Sequence, residues 1–490
     1  MARIAVIGAG VGAMAAAARL ATVGHRVTVC ERSGTHGGAV GTFSRDGFSF
    51  DTGPALLALP AVYRDLFLKT GKEPLEECVD LREVDPASHH LLPGGTSVAL
   101  ANASRAAVVQ ALDAALGAGA GARWSALLDR ARVVWEATRR PLLEEPSGEG
   151  PDRVVHDPYP APRWPVPGRG RPTLERVARR ELRHPGLVAL LDGYALRYGF
   201  DPRTAPASLV ALPYLEHTFG TWYVAGGVRA LADALFRRCA LRGVEFRFDA
   251  EVVAVERTDG RATGVRLADG DRLPADAVVS GVPALAPLLG GAPPPGARTW
   301  PGRLSVLLAL RGARPDGTAH RTLVHAPDRT AELTAVFDPP QHTRGPAAGP
   351  PRTVEVLRPD DAGLRPDGHE AVTLRVTVPP QGVVDWTADG LADAYADQAV
   401  RVAEAAVPGL RDRVLWRHVL TPADTERTTG APGGGCPGPV LAGHRGAFLS
   451  ADNRTSVPGL YRVGGWAHPG GGLPHTGMSG ALVAALIGTP

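Results

Sequence analysis

Arg3-Ile4-Ala5-Val6-Ile7-Gly8-Ala9-Gly10-Val11-Gly12-Ala13 decides the fold. Arg3–Ile7 is a short apolar run rich in β-branched residues, the pattern of a buried parallel strand. A glycine turn follows at once, and then small residues (Ala15–Ala18, Leu20, Ala21) suited to a closely packed helix. His25–Cys30 reads as a second strand ending at Glu31. Strand, glycine turn, helix, strand and acid within about thirty residues make a dinucleotide-binding fingerprint, with Ala13 in its third place. Gly8 permits the tight turn, and Gly10 lets backbone approach a pyrophosphate. Gly12 lies in the same loop, and Ala13 keeps helix and strand close. The helix N-terminus aims free N–H groups and a positive dipole end at the phosphates. Glu31 is placed to accept hydrogen bonds from ribose hydroxyls.

The remainder of the 490 residues fits a globular protein built around that unit. Hydrophobic residues make 44% and charged residues 21%, which excludes a wholly disordered chain. A net charge of +3 points away from nucleic acid as a partner. Cys30, Cys78, Cys239 and Cys436 form no C-x-x-C pair and have no zinc-finger spacing. They are expected to be reduced thiols, with no metal site. No apolar run is long enough to span a membrane. The fingerprint starts so near Met1 that no targeting segment is expected before it, and the expected location is cytoplasmic.

The fingerprint alone does not choose between NAD and FAD. The next stretch, Glu31-Arg32-Ser33-Gly34-Thr35-His36-Gly37-Gly38 and then Asp46-Gly47-Phe48-Ser49-Phe50-Asp51-Thr52-Gly53-Pro54, bears on that choice. Gly37 and Gly38 provide backbone contact for a cofactor that extends further. Phe43, Phe48 and Phe50 alternate with polar residues, so two short strands joined at Asp46-Gly47 are expected. These residues resemble the N-terminal signature of the flavoprotein group that includes monoamine oxidases, carotenoid desaturases and Rab GDP-dissociation inhibitors. The resemblance implies FAD. Many members have Gly-Gly-Arg where this chain has Gly37-Gly38-Ala39, and Arg32 and Arg45 are the candidates to replace the missing cation.

The C-terminal motif runs Leu460-Tyr461-Arg462-Val463-Gly464-Gly465-Trp466-Ala467-His468-Pro469-Gly470-Gly471-Gly472-Leu473-Pro474-His475-Thr476-Gly477-Met478-Ser479-Gly480. A strand enters a glycine loop and a helix of small residues leaves it. One reading is a second phosphate loop. The other is a loop around a flavin ring, with Gly464, Gly465 and Gly472 in contact. A helix N-terminus at Gly477–Gly480, Met478 included, would then face the ring's pyrimidine edge and stabilise negative charge there. The motif resembles the bacterial phytoene desaturase family, as does Thr421-Pro422-Ala423-Asp424. That resemblance also makes Val253 the residue whose strand lays backbone groups on the adenine.

The expected fold is α/β: a discontinuous Rossmann-like FAD domain with an inserted mixed α+β substrate domain. Its segments are 1–100, 215–285 and 421–490 for FAD, with 101–214 and 286–420 for the substrate. Helices are expected over Ala61–Thr70, Ala106–Leu116, Trp124–Thr138 and Leu391–Val407, and over Leu174–Tyr198 with a break near Pro185. Leu142–Pro172 reads as a polar surface loop or lid. The Arg-rich Leu174–Tyr198 segment is either an ordinary solvated stretch or a peripheral membrane contact.

The resemblance implies FAD-dependent dehydrogenation of an isoprenoid, carotenoid or other polyene, with hydride passing to flavin N5. His468 and His475 are the candidate bases, because imidazole titrates near neutrality, and bracing of the loop is the alternative role for each. Lysine occurs only at Lys69 and Lys72, which disfavours amine oxidation through a mid-chain lysine. Two alternatives remain at this stage: an oxidase of a small soluble metabolite, and a non-enzymatic binding protein of the GDP-dissociation-inhibitor kind. The electron acceptor is left open.

Overall fold

The computed structural model describes residues 1–147, 154–160, 173–292, 299–339 and 348–489. The fingerprint folds as its pattern predicts: strand β1 (Arg3–Ile7), helix α1 (Val11–Thr22) and strand β2 (Arg26–Cys30). β1 lies at the centre of a five-stranded parallel sheet. β2 and then Glu245–Arg247 lie on one side, and Ala277–Ser280 and then Leu460–Arg462 on the other. Three stretches far apart in sequence thus build one sheet. Ile4 and Val6 face a core shared with α1, the helix Arg229–Leu241 and the C-terminal helix Leu473–Ile487. Ala5 and Ile7 face a three-stranded antiparallel sheet formed by Val252–Thr258, Arg261–Leu267 and Arg272–Pro274.

α1 and the C-terminal helix approach closely because both present small residues. A Cβ on Gly480 would lie 2.7 Å from the Ala15 Cβ. A Cβ on Gly12 would lie 2.8 Å from the Gly464 Cα. The two ends of the chain therefore meet at the fingerprint loop.

The second layer is a seven-stranded sheet ordered Val414–Leu420, Gly302–Arg311, His369–Val378, Val354–Leu357, Arg321–Val324, Ser88–Leu91 and Ser97–Leu100. All its pairs are antiparallel except Arg321–Val324 with Ser88–Leu91. The last two strands fall inside 1–100, the segment expected in the FAD domain. They cross over because their alternating buried residues, such as Val98 and Leu100, complete the core on the helical side.

That helical layer packs Arg105–Leu116, Ala120–Arg139, Pro185–Arg197 and Ala211–Phe219 around the fully buried Trp124. Leu174–Tyr198 is broken as expected, with Pro185 opening its second helix. Leu174, Val177, Leu182, Leu187, Leu190 and Leu191 are all buried in this layer's own core. The apolar side of the Arg-rich segment faces inward, into that core. Among the described residues no helix is long and apolar enough to cross a membrane. Most of the expected Leu142–Pro172 loop lies outside the described residues. Leu142, Leu143, Val154 and Tyr159 within it are buried, so its described parts pack in the interior.

Candidate functional site

The fingerprint loop forms a cradle. Gly8 has φ 87°, a left-handed conformation that glycine adopts without strain. The Gly8 N–H donates to the Cys30 carbonyl at 2.8 Å, which ties the turn to β2. Gly10 caps α1 with ordinary extended dihedrals, and a Cβ there would meet nothing within 4 Å. The open space beside it lies at the N-terminus of a twelve-residue helix with no acid in its first turn. That is the setting in which backbone N–H groups bind phosphate. Ala13 is buried against the sheet.

Glu31 holds this turn in place. One carboxylate oxygen accepts the Ala9 N–H at 2.8 Å, and the other accepts the Ser33 N–H and hydroxyl at 2.9 Å. An ionised carboxylate has about four lone-pair sites, so capacity remains for ribose hydroxyls. Gly37 and Gly38 fold back on the cradle: the Gly37 N–H donates to the Ala9 carbonyl, and a Cβ on Gly38 would lie 3.0 Å from the Gly10 Cα.

The cation in contact with this turn is neither of those expected. Arg32 donates instead to the Arg427 and Thr428 carbonyls at the end of the helix Pro422–Thr429, where orphan acceptors outcompete other partners. Arg45 pairs with Asp46 and lies over the Trp416 ring, 5.0 Å from its centroid. Neither reaches the turn. Arg229 does: Nη1 donates to the His36 carbonyl at 2.6 Å, Nη2 donates to the Thr35 hydroxyl, and Asp233 orients the guanidinium. Nothing local in the sequence marks Arg229 for this role.

Val253 sits at a bulge between Val252 and Ala254, so it has no register partner in its ladder. The residue is 37% exposed. The neighbouring chain runs along Glu31–Ser33, with the Ala250 N–H on the Glu31 carbonyl and the Asp249 N–H on that of Ser33.

The C-terminal loop is held against the cradle by a buried polar knot. Ser479 and Asn453 are fully buried. The Ser479 hydroxyl accepts the Gly464 N–H at 3.0 Å and donates to the His468 carbonyl at 2.8 Å. Asn453 Nδ2 donates to the Arg462 and His468 carbonyls and to the Ser479 hydroxyl. Gly465 faces Gly471 across the loop at 3.4 Å, measured from a Cβ placed on Gly465.

The helix begins earlier than the glycines suggested. Gly472 is its cap, with Pro474 in the first turn, so Gly477 to Gly480 lie in its interior and aim no free N–H groups at a ring. Gly477 is there for packing, since a Cβ would lie 2.9 Å from Val62 Cγ1. Tyr63 donates its buried hydroxyl to the Leu473 carbonyl at 2.8 Å, fixing the helix start. Met478 packs against the helical layer's core rather than toward the cradle.

The two histidines occupy different positions. His468 Nε2 lies 3.0 Å from the Glu145 carbonyl, which ties the loop to the end of the long helix, and burial lowers its pKa. His475 is buried, its Nδ1 has no hydrogen-bond partner among the described residues, and it lines a small cavity of about 30 Å³. Burial, helped by nearby His468, pushes its pKa down to about 4. The other walls include Trp135, Leu142, Leu143, Leu212, Leu215 and Leu441. Sequence reading had no means to find these walls, because they come from four separate parts of the chain.

These residues fit FAD: an open phosphate cradle beside Gly10, a Glu31 carboxylate with acceptor capacity left, and a second loop held at contact distance from the cradle. Among the described residues no cluster suited to a metal ion is present.

Comparison with known proteins agrees with this geometry. The profile of the family described as "Flavin containing amine oxidoreductase" matches residues 14–286. A 4,4'-diapolycopene oxygenase from Methylomonas sp is 29% identical over 99% of this chain and 98% of its own. A hydroxyneurosporene desaturase from Cereibacter sphaeroides is 32% identical over 99% of this chain and 97% of its own. The crystal structure of an oxidoreductase from Methanosarcina mazei has the same fold, with a TM-score of 0.65 and 18% identity over 99% of this chain and 100% of that one.

Proposed function

Because the chain belongs to the flavin containing amine oxidoreductase family, in the branch of the bacterial carotenoid desaturases, we propose that it dehydrogenates a C–C bond of a carotenoid or related polyene. It is an FAD-dependent oxidoreductase. The single observation that carries the substrate class is the full-length likeness to the hydroxyneurosporene desaturase, and the apolar side chains around His475 are in keeping with it. Both lysines are exposed and far from the C-terminal loop in sequence, in keeping with a substrate other than an amine.

Two C–H bonds break and one C=C bond forms. Bound FAD would supply a two-electron acceptor for the hydride. The apolar side chains around His475 bury the hydrocarbon, at about 25 cal/mol per Å² of apolar surface, and exclude water. His475 receives the proton from the adjacent carbon on the Nδ1 lone pair of its neutral Nε2–H tautomer. Its low pKa leaves it unprotonated, and among the described residues Nδ1 has no other partner. His468 positions the loop.

The test is incubation of the purified holoprotein with a polyene in micelles, followed by mass spectrometry. The expected product is lighter by one hydrogen molecule for each double bond formed. The diapolycopene oxygenase relative favours a second reading, oxygen insertion at the polyene end. Oxygen in the product, with no loss of hydrogen from the chain carbons, selects that reading instead.

The pH profile bears on His475 directly. The depressed pKa means that the neutral form is present above about 4 and is lost as pH falls through it. Product formation should therefore stay level down to about pH 5, whereas an unperturbed imidazole would begin to fail near 6.5. His475→Phe should lower kcat about 10²–10³-fold with FAD retained. Steady-state rates across that pH range check both statements.

A further inference from the structure

The helix Arg229–Leu241 starts without a cap of its own. Its capping residue is Val228, which has no side-chain oxygen, and no acid lies in its first turn. The Ala230 and Leu231 N–H groups turn back to the Gly227 and Val228 carbonyls, which leaves the N–H groups of Val228 and Arg229 to be satisfied. A residue 177 positions before Val228 meets them. Asp51 Oδ2 accepts the Val228 N–H at 3.2 Å, and the Arg229 N–H faces the same carboxylate.

Gly227 lets that carboxylate in. A Cβ there would lie 2.8 Å from Asp51 Oδ1, and its φ of 88° suits glycine. Burial pushes the Asp51 pKa up to about 6 against the pull of the two N–H groups and Arg375, so the carboxyl is mostly ionised at neutral pH. Negative charge at a helix N-terminus is favourable.

Asp51 is fixed from its other side by the seven-stranded sheet. It ends the hairpin strand Phe48–Asp51, whose Phe48 and Phe50 pack on Leu307, Ala309 and Ala371. Arg375, opposite Glu355 in the sheet's register, donates to the Asp51 and Gly53 carbonyls.

The helix start matters because of what its first residue holds. Arg229 donates to the His36 carbonyl at 2.6 Å and to the Thr35 hydroxyl at 3.0 Å. The next residue, Gly37, donates to the Ala9 carbonyl, and Gly38 rests on Gly10. Asp51, the helix start, Arg229, the Gly37 turn and the phosphate cradle form one continuous line of contacts. We propose that Asp51 is a positioning residue for the cofactor: by capping this helix it aims Arg229 at the Gly37 turn, and through Arg229 it sets the affinity for FAD. The inference rests on FAD as the cofactor and is independent of the polyene reading.

The test titrates each apoprotein with FAD and reads affinity from flavin fluorescence. Arg229→Gln should weaken FAD about 10–30-fold, and Asp51→Ala about 10-fold, the order expected for loss of a charged helix cap. Asp51→Asn keeps one acceptor oxygen in place and should lose only about 3-fold. The double variant Asp51→Ala with Arg229→Gln should bind within about 2-fold of Arg229→Gln alone, because Asp51 then has nothing to act through. Far-ultraviolet circular dichroism checks that each apoprotein is folded. Should Asp51→Ala not fold, the cycle is run with Asp51→Asn, whose loss must vanish in the Arg229→Gln background. Losses that multiply in the double variant mean that the carboxylate reaches the cofactor by itself, and overturn the proposal. So does an Asp51→Ala apoprotein that melts earlier yet binds FAD as tightly as before, since its cap then serves the helix alone.

Discussion

Gly10→Val is expected to give a folded protein that no longer retains FAD. The glycine's own dihedrals suit any residue, and a Cβ there would touch no protein atom within 4 Å. The fold should therefore lose only about 1 kcal/mol, the usual cost of an aliphatic residue at a helix N-cap. The valine side chain would enter the space beside the N–H groups of α1, where the pyrophosphate lies. FAD affinity should fall at least about 100-fold, or about 2.7 kcal/mol. Gly12→Ala is the contrast, because its Cβ would meet Gly464 at 2.8 Å and force the two loops apart. Flavin absorbance of the purified variants, with far-ultraviolet circular dichroism of each apoprotein, separates the two effects. A Gly10→Val protein that stays yellow would remove the cradle from the argument.

Ser479→Ala carries the second large effect. The substitution removes only the hydroxyl oxygen, so packing is nearly preserved. It strands the buried Gly464 N–H and removes one of the two hydrogen bonds on the His468 carbonyl, while Asn453 Nδ2 keeps its two carbonyl acceptors. A stranded buried group costs about 1–3 kcal/mol and a lost hydrogen bond about 1 kcal/mol, so the protein should lose about 2–4 kcal/mol. Much of the strain would fall on the Gly464–His468 segment, and the variant should bind FAD weakly as well as melt early. Thermal unfolding with and without added FAD measures both. A shift in melting temperature equal to that of a surface serine variant would show that the knot does not hold the loop.

Legibility differed by region. The glycine fingerprint was readable because its logic is local: a strand, a turn of positive φ, a helix start and an acid all lie within one βαβ unit. The helices of the middle region were readable from their period. The start of the C-terminal helix was misplaced by four residues or more, because Gly477 and Gly480 look like loop glycines. They are helix-interior residues that make room for Val62 and for Ala15 and Ala16. The missing cation was sought at Arg32 and Arg45, near the turn in sequence. The cation that bonds the turn is Arg229, from a helix about two hundred residues away, which no local pattern announces. Ser88–Leu91 and Ser97–Leu100 were assigned to the wrong layer for a related reason: alternation shows that a strand has a buried face, but not which sheet it joins.

The sequence by itself determined that a dinucleotide cofactor is gripped near residue 10, since that grip depends on the positive φ of Gly8 and on the space that Gly10 leaves without a side chain. Tertiary structure alone decided what surrounds that loop. The Nδ1 of His475 without a partner among the described residues, and the apolar side chains around it, exist only where distant strands and helices close on one another. Burial and lost solvent are properties of that closure, so they cannot be read from neighbours along the chain.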